Sequence, residues 1–250
     1  ANSGQTTRTI IVQGNNQTGG TNPGASIAIN STTLEPLEKI ALLLPGVDSQ
    51  GKGAIATLEI ERTNGTGRIF ISLDENRPAI LEQTQGSIKN AVQVAKNFDQ
   101  LTATRFSQSD LLLVFKVNSL EVSGGSAGAA TAVASIALLN GRRIKAHFAI
   151  TGTVNANGSI GKVGEVLEKA RALKRAGVTT FLVPVGEAMQ RTNIANSSEN
   201  CTEETIQGGV FRSCTTQTNI EPLVVNVSRE VGINVVEVWN IETAYGIIAE

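Results

Sequence analysis

The segment from Ser123 to Leu139 constrains the fold of this 250-residue chain more than any other segment does. A glycine-rich turn, Ser123-Gly-Gly-Ser-Ala-Gly128, leads into residues 129–139, which are almost all small or aliphatic. A helix that is apolar on every side has to be covered on every side. The sequence therefore predicts a buried helix that ends at Asn140-Gly141 and has other elements packed around it.

Strand and helix patterns alternate on both sides of this helix. The predicted strands are residues 54–61, 67–73, 110–117, 144–151, 179–184 and a segment near Val235, and the predicted helices are residues 83–98, 163–176 and a segment from about Ile241. Asn64-Gly65 between the first two strands indicates a β-hairpin. The interleaved order predicts one mixed α/β domain of the α+β class.

Two segments do not fit this domain. Residues 1–34 are rich in Gly, Asn and Thr, with strand-like runs at 9–13 and 26–30, and we interpret them as an N-terminal extension. Residues near 190–219 form a polar insertion within the domain predicted at 35–250.

Composition narrows the chemistry. The chain has 21 Lys and Arg against 22 Asp and Glu, so bulk charge gives no reason to expect nucleic-acid binding. One His and two Cys are too few for the usual zinc ligand sets. We therefore expect no metal and no cofactor, and any catalysis has to use other side chains.

Ser126 lies where the glycine-rich turn meets the N-terminus of the buried helix. Free main-chain N–H groups and the helix dipole concentrate positive potential there, which suits a developing oxyanion. The same turn would present the Ser126 hydroxyl as a nucleophile. The alternative interpretation is an N-cap serine with glycines that allow tight packing, and the turn alone favours this alternative.

A serine nucleophile needs a base, and three residues are candidates. His147 lies within the predicted strand 144–151, where a lone histidine is more often packed or exposed than catalytic. On the predicted helix 163–176, Lys169 borders the apolar stripe, whereas Lys174 lies nearer its centre but in the last turn. A lysine serves as a base only when an apolar pocket keeps it neutral. The helix pattern alone does not choose between the two lysines.

Five blocks carry a resemblance to a known family. In chain order they are Gly124-Gly-Ser-Ala-Gly128, Ala149-Ile-Thr-Gly-Thr-Val154, Gly158-Ser-Ile-Gly-Lys-Val-Gly164, Glu168-Lys-Ala170 and Phe181-Leu-Val-Pro184. Their order and spacing resemble the proteolytic domain of Lon-type serine peptidases. The layout is similar to that of archaeal predicted serine proteases with a Lon-like domain that are exported or membrane-tethered.

The resemblance implies a Lon proteolytic-domain-like fold and an ATP-independent serine endopeptidase. Ser126 and Lys169 would form a catalytic dyad, with Thr151 hydrogen-bonded to Lys169 and orienting it. Main-chain N–H groups of Gly125, Ser126 and Ala127 would stabilise the oxyanion. We recognise no ATPase or unfolding module in these residues, so ATP-driven degradation is not implied by this chain.

The chain also departs from the family pattern. The family usually has Pro directly before the serine, and Gly125 stands there instead, which we expect to loosen the turn. Glu82, just before the first predicted helix, is the acid that we expect to assist the dyad.

Cys201 and Cys214 lie in the polar insertion, and a disulfide between them would stabilise the fold by roughly 3 kcal/mol in the chain-entropy model. The pair favours an extracytoplasmic or membrane-associated location, with two free thiols in a cytoplasmic protein as the alternative. The resemblance implies a polypeptide substrate, a homo-oligomeric ring and a membrane tether outside this chain.

Two rival functions remain open on the sequence. The first is a proteolytically inactive Lon-like binding or assembly module, which the substitution at Gly125 favours. The second is a nucleotide-dependent small-molecule kinase that cradles phosphate in the turn 123–128. A kinase would leave Lys169 and its helix without a task.

Overall fold

The computed structural model describes residues 38–72, 82–117, 124–206 and 209–250 of the chain. The predicted N-terminal extension and its two strand-like runs lie outside the described residues. The predicted bounds of the domain therefore stay a prediction.

Helices and strands interleave along the described chain. The strands are β1 Glu38–Val47, β2 Gly53–Asn64, β3 Ile69–Ser72, β4 Ser109–Val117, β5 Phe148–Ile150, β6 Thr153–Val154, β7 Ile160–Gly161, β8 Thr180–Pro184, β9 Met189–Ile206, β10 Gly209–Asn226 and β11 Asn234–Val238. The helices are α1 Glu82–Lys96, α2 Gln100–Ser107, α3 Gly128–Leu139, α4 Val166–Arg175, α5 Val227–Val231 and α6 Ile241–Ile248. Mixed sheets combined with these helices confirm the predicted α+β class.

The first sheet has the strand order β1-β2-β4-β3, with β3 parallel to β4 and the other pairs antiparallel. The predicted hairpin between β2 and β3 is therefore wrong, because β4 lies between them. The Asp110 carboxylate on β4 accepts hydrogen bonds from the main-chain N–H groups of Thr66 and Arg68, at 2.8 Å each. These bonds tie the connection after Asn64 to β4, and β3 then runs along the far edge of β4.

The second sheet contains β11, β8 and β5 in that order, all parallel. The predicted strand 144–151 is present only as β5, because His147 has a φ of 62° and interrupts the extended backbone. Ile144 forms a separate bridge with Ala249 after α6. The carboxyl end of β5 therefore leads directly into the Thr151-Gly152 segment beside the glycine-rich turn.

Helix α3 lies at the centre of the main core. Every residue from Gly128 to Leu139 is buried, as the sequence predicts. The helix packs against α1 and α6 and against β1 and β2. Small side chains such as those of Ala130 and Ala134 allow this close approach. No described helix is long and apolar enough to cross a lipid bilayer.

Helix α4 begins three residues later than predicted. Glu165 has a φ of 58° and occupies the N-cap position, so regular helix begins only at Val166. The helix ends at the C-cap Ala176, and Gly177 follows with a φ of 81°. The apolar face of α4 packs with the second sheet around Phe181, in a second core cluster.

The predicted insertion is longer than expected and forms a two-stranded antiparallel ribbon, β9 and β10, from Met189 to Asn226. Its described side chains are nearly all exposed. Cys201 and Cys214 lie opposite each other in the register and are joined in a disulfide. Val225, at the base of the ribbon, packs against the second core cluster. Strand β1 and helices α2 and α5 were not predicted from the sequence pattern.

Removing the disulfide should affect the ribbon and spare the core. In Cys201→Ser/Cys214→Ser, a limited dose of trypsin should cut the ribbon faster than in the wild type, because a two-stranded ribbon is marginally stable alone. The midpoint of urea unfolding of the domain should change little, because the loop that the disulfide closes lies wholly within the exposed ribbon. The ribbon should unfold separately from the core, so the roughly 3 kcal/mol of chain entropy stabilises the ribbon alone. A midpoint that falls as steeply as the ribbon's resistance to cleavage would contradict this.

Candidate active site

A cavity of about 350 Å³ lies where β1, β2, the glycine-rich turn and the start of α4 meet. Apolar side chains of Leu44, Val47 and Ile55 line one wall. Ser126, from the glycine-rich turn, and Lys169, from α4, line the same cavity. The fold therefore places Ser126 and Lys169, which are 43 positions apart in the sequence, in the lining of one cavity.

Ser126 lies in the turn before α3 and is half-buried. The N-cap of α3 is Ala127, which has no side chain that can cap the helix. The alternative interpretation of Ser126 as an N-cap serine is therefore wrong. Within the described part of the chain, the Ser126 hydroxyl forms no hydrogen bond, so it is available to react.

The N–H groups of this turn point to an anion-binding role. Among the described residues, the main-chain N–H groups of Gly125, Ser126 and Ala127 donate to no acceptor. They precede the first turn of α3, whose dipole places partial positive charge at this end. Such groups can stabilise negative charge on an oxygen without reorganising.

The carbonyl groups of the same turn are fixed by hydroxyls from α1. The Ser87 hydroxyl donates to the carbonyl oxygen of Gly125 at 2.7 Å, and the Thr84 hydroxyl donates to that of Gly124 at 3.1 Å. Ser87 and Thr84 are both buried. The turn is therefore anchored although Gly125 stands where the family usually has Pro, which argues against the loosening expected from the sequence.

The carbonyl group of Ser126 is held by hydrogen bonds from the segment that directly follows β5. The carbonyl oxygen of Ser126 accepts from the Gly152 N–H at 3.0 Å and from the Thr151 hydroxyl at 3.3 Å. The Ala129 N–H donates back to the Gly152 carbonyl at 3.0 Å. Thr151 is fully buried, and its hydroxyl hydrogen is directed to the turn. The predicted hydrogen bond between Thr151 and Lys169, both described residues, is absent from the structure, and the Thr151 hydroxyl donates to the Ser126 carbonyl instead.

Lys169 is 4% exposed and forms no hydrogen bond or ion pair through its ammonium within the described residues. Burial lowers the pKa of this group from 10.5 to about 8, although the carboxylates of Glu165 and Glu187 partly oppose the shift. The neutral form is therefore accessible near neutral pH.

The structure separates the three candidate bases. Lys174 is exposed, and its ammonium donates to the carbonyl oxygen of Gly232 at 2.6 Å. His147 is exposed and lines a different cavity, with Nδ1 3.0 Å from the carbonyl oxygen of Gly177. Only Lys169 shares a cavity with Ser126 among these three.

The acids beside Lys169 were not predicted. Glu187 follows β8, is buried, and accepts a hydrogen bond from the Gln190 side chain at 2.8 Å. Its proximity to Lys169 depends on the tertiary fold, so no local pattern signals it. Glu82 begins α1, but its side chain lies outside the described part of the structure.

Among the described residues, one cluster contains three side chains of metal-ligating type, Glu199, Cys201 and Cys214. It lies on the ribbon, and its two sulfurs are joined in the disulfide. Disulfide sulfurs do not provide the thiolates that a metal site needs.

Residues 49–205 match the family model of the Lon protease (S16) C-terminal proteolytic domain. The chain belongs to this family. It is 26% identical to Lon protease 2 of Syntrophobacter fumaroxidans over 132 residues, which are 53% of this chain and 16% of that protein. It is 27% identical over 154 residues to the Lon protease of Phenylobacterium zucineum, covering 60% of this chain and 19% of that protein.

A third relative, the Lon protease of Koribacter versatilis, is 31% identical over 103 residues, covering 41% of this chain and 12% of that protein. The chain therefore spans less than a fifth of the length of these relatives. Membership of the Lon proteolytic-domain family confirms the resemblance found in the sequence and supports a peptidase.

The burial of Lys169 should be measurable as a pH-dependent stability. Between about pH 8 and 10.5 the unfolded chain binds more protons at this residue than the folded chain does, so wild-type stability should rise with pH in this window. Across this window the free energy of unfolding of the wild type should rise by about 3 kcal/mol because of Lys169. The variant Lys169→Met should show no such rise. Urea unfolding of both proteins from pH 7 to 10.5 measures the difference.

Lys174→Met is the matched control, since it removes an exposed lysine from the same helix. Its stability should follow the wild-type pH dependence. Parallel curves for wild type and Lys169→Met would show that Lys169 carries no burial penalty.

Proposed function

We propose that this domain is a serine endopeptidase that cleaves peptide bonds through an acyl-enzyme on Ser126, with Lys169 as the general base. The observation that carries the proposal is the shared cavity, which is lined by both an unbonded serine hydroxyl and a buried, unpaired lysine. Burial lowers the pKa of this lysine to about 8, which supports a role as base.

The first half-reaction transfers the acyl group to the enzyme. Neutral Lys169 accepts the hydroxyl proton while Ser126 Oγ forms a bond to the peptide carbonyl carbon. The carbonyl π electrons move to the oxygen, where the N–H groups of Gly125, Ser126 and Ala127 stabilise the charge. When the C–N bond breaks, the leaving amine takes the proton from Lys169, and the ester remains on Ser126.

The second half-reaction returns the enzyme to its starting state. Lys169 accepts a proton from water as the water oxygen attacks the ester carbon. The bond from Oγ to carbon then breaks, and Ser126 regains the proton from Lys169. The new carboxyl group leaves with the upstream part of the substrate.

In this proposal Thr151 holds the turn that carries the nucleophile. Its hydroxyl hydrogen bonds to the Ser126 carbonyl, and its oxygen retains lone pairs that can accept from a protonated Lys169. It would thereby link the turn and the base.

No step of this cycle uses a nucleotide, so we propose that the domain cleaves unstructured polypeptides without ATP. The disulfide on the exposed ribbon supports placing the domain in an oxidising, extracytoplasmic compartment. We keep a homo-oligomeric ring and an external membrane tether as parts of the proposal.

Substitution of either member of the dyad should abolish cleavage. Ser126→Ala and Lys169→Ala should each lower kcat/KM on unfolded casein by at least about a thousandfold, since the members of a dyad act as a unit. Assays with and without ATP should give the same wild-type rate. Lys174→Ala is the matched control and should retain wild-type activity.

Equal cleavage by wild type, Ser126→Ala and Lys169→Ala would refute the proposal. A folded wild-type protein that cleaves nothing and resists serine-directed fluorophosphonate probes would favour the inactive module instead.

The pH dependence of cleavage should report the lysine. Only neutral Lys169 acts as a base, so kcat/KM should rise about tenfold per pH unit below a midpoint near pH 8 and level off above it. A stopped assay on a fluorogenic peptide from pH 6 to 10 measures the profile. A flat profile across pH 7 to 9 would exclude Lys169 as the titrating base.

A further inference from the structure

Glu165 combines two features that a surface glutamate does not usually have. Its φ of 58° lies in the left-handed region, which strains a residue with a β-carbon. Its side chain also lines the cavity that holds Ser126 and Lys169. Strained residues of this type concentrate at functional sites, where another benefit offsets the strain.

Glu165 has no capping role that would explain its position. It occupies the N-cap of α4, yet its carboxylate accepts no hydrogen bond from the helix N-terminus. Glycine or asparagine would adopt this backbone with less strain. The carboxylate itself is therefore the feature to explain.

Glu165 lies one helical turn before Lys169 along the main chain. The Glu165 carbonyl oxygen accepts the Lys169 N–H at 3.0 Å, so the backbone holds the two residues close together at the start of α4. Glu165 and Lys169 both line the cavity. Glu165 is exposed to solvent, whereas Lys169 is buried.

We propose that Glu165 is a positioning residue for Lys169, and that its strained backbone keeps a carboxylate at the lining of the cavity. This inference rests on the proposed function. The carboxylate attracts the protonated ammonium, and so it controls how much of Lys169 is neutral in the resting enzyme.

Two carboxylates act on the charge of Lys169, and one further charged residue lines the same cavity. Glu165 lies at the start of its own helix, Glu187 after β8, and Lys162 on the segment before α4 that lines the cavity. The two carboxylates raise the pKa of Lys169 against the effect of burial. Glu165 is the exposed one of the two acids, so its effect should weaken as salt increases.

The test uses the full chain with two substitutions, Glu165→Gln and Glu165→Gly. Lysine labelled with ¹³C at Cε gives a direct NMR titration of Lys169, whose signal is identified by its absence from Lys169→Met. Both variants should titrate at lower pH by roughly half a unit. The activity profile should move by the same amount, which raises kcat/KM about threefold at pH 7.

The melting temperature Tm reports the backbone strain at Glu165 separately from the effect of its carboxylate. Glu165→Gly relieves the strain and should raise Tm by about 2 °C or more, whereas Glu165→Gln keeps the strain. Lower titration midpoints in both variants, with a higher Tm in Glu165→Gly alone, would support the proposal. Unchanged midpoints in both variants would overturn it, whatever happens to Tm.

Glu168→Gln is the matched control, because Glu168 pairs with Arg171 and does not line the cavity. It should leave the Lys169 midpoint unchanged, and a shift as large as that of Glu165→Gln would overturn the proposal. The NMR titration does not need catalysis. Failure of the peptidase proposal therefore appears in the activity assay, and failure of the Glu165 proposal appears in the titration.

Discussion

The main-chain link between Ser126 and Gly152 is the constraint on which the rest of the site depends. Gly152 donates to the Ser126 carbonyl and accepts from the Ala129 N–H, so one residue after β5 fixes both the turn and the first turn of α3. A β-carbon at Gly152 would lie 2.4 Å from Ile160 Cγ2, and its φ is 155°. Glycine is therefore required here by packing and by backbone conformation together.

This link determines what the buried helix can do. Helix α3 supplies the dipole behind Ser126, and it stays in place because apolar elements cover it. Gly128 shows how tightly the start of the helix is held, since a β-carbon there would lie 2.6 Å from Ser87 Oγ. The same Ser87 hydroxyl fixes the Gly125 carbonyl, so packing and hydrogen bonding restrain the same turn.

The sequence predicted the parts of the fold that local pattern determines. Helix α3 was recognisable because residues 129–139 are apolar on every side, and β8 because its apolar run stops at Pro184. The prediction of a hairpin was wrong because Asn64-Gly65 is only a local signal. Asp110, which ties the connection after Asn64 to β4, lies 46 positions further along the sequence. The left-handed conformation of Glu165 had no signal in its residue type, so the start of α4 was placed too early.

The residues of the candidate site also differ in how far the sequence pattern could identify them. Ser126 was recognisable from the turn, but the helix pattern left Lys169 and Lys174 equivalent, and only the resemblance to the Lon family selected Lys169. The structure distinguishes them by burial, which depends on β1 and β2 rather than on α4. Glu187 was missed because its relation to Lys169 exists only after β8 is placed beside α4.

The register of the ribbon determines how the ribbon is connected to the domain. Met189 and Asn226 are paired, so the chain leaves the domain and returns to it at adjacent positions. Paired residues on antiparallel strands have Cα atoms about 5 Å apart, a gap that a tight turn closes. A tight turn in place of the ribbon would therefore connect the segment after β8 to α5 and leave both of these elements at their present positions.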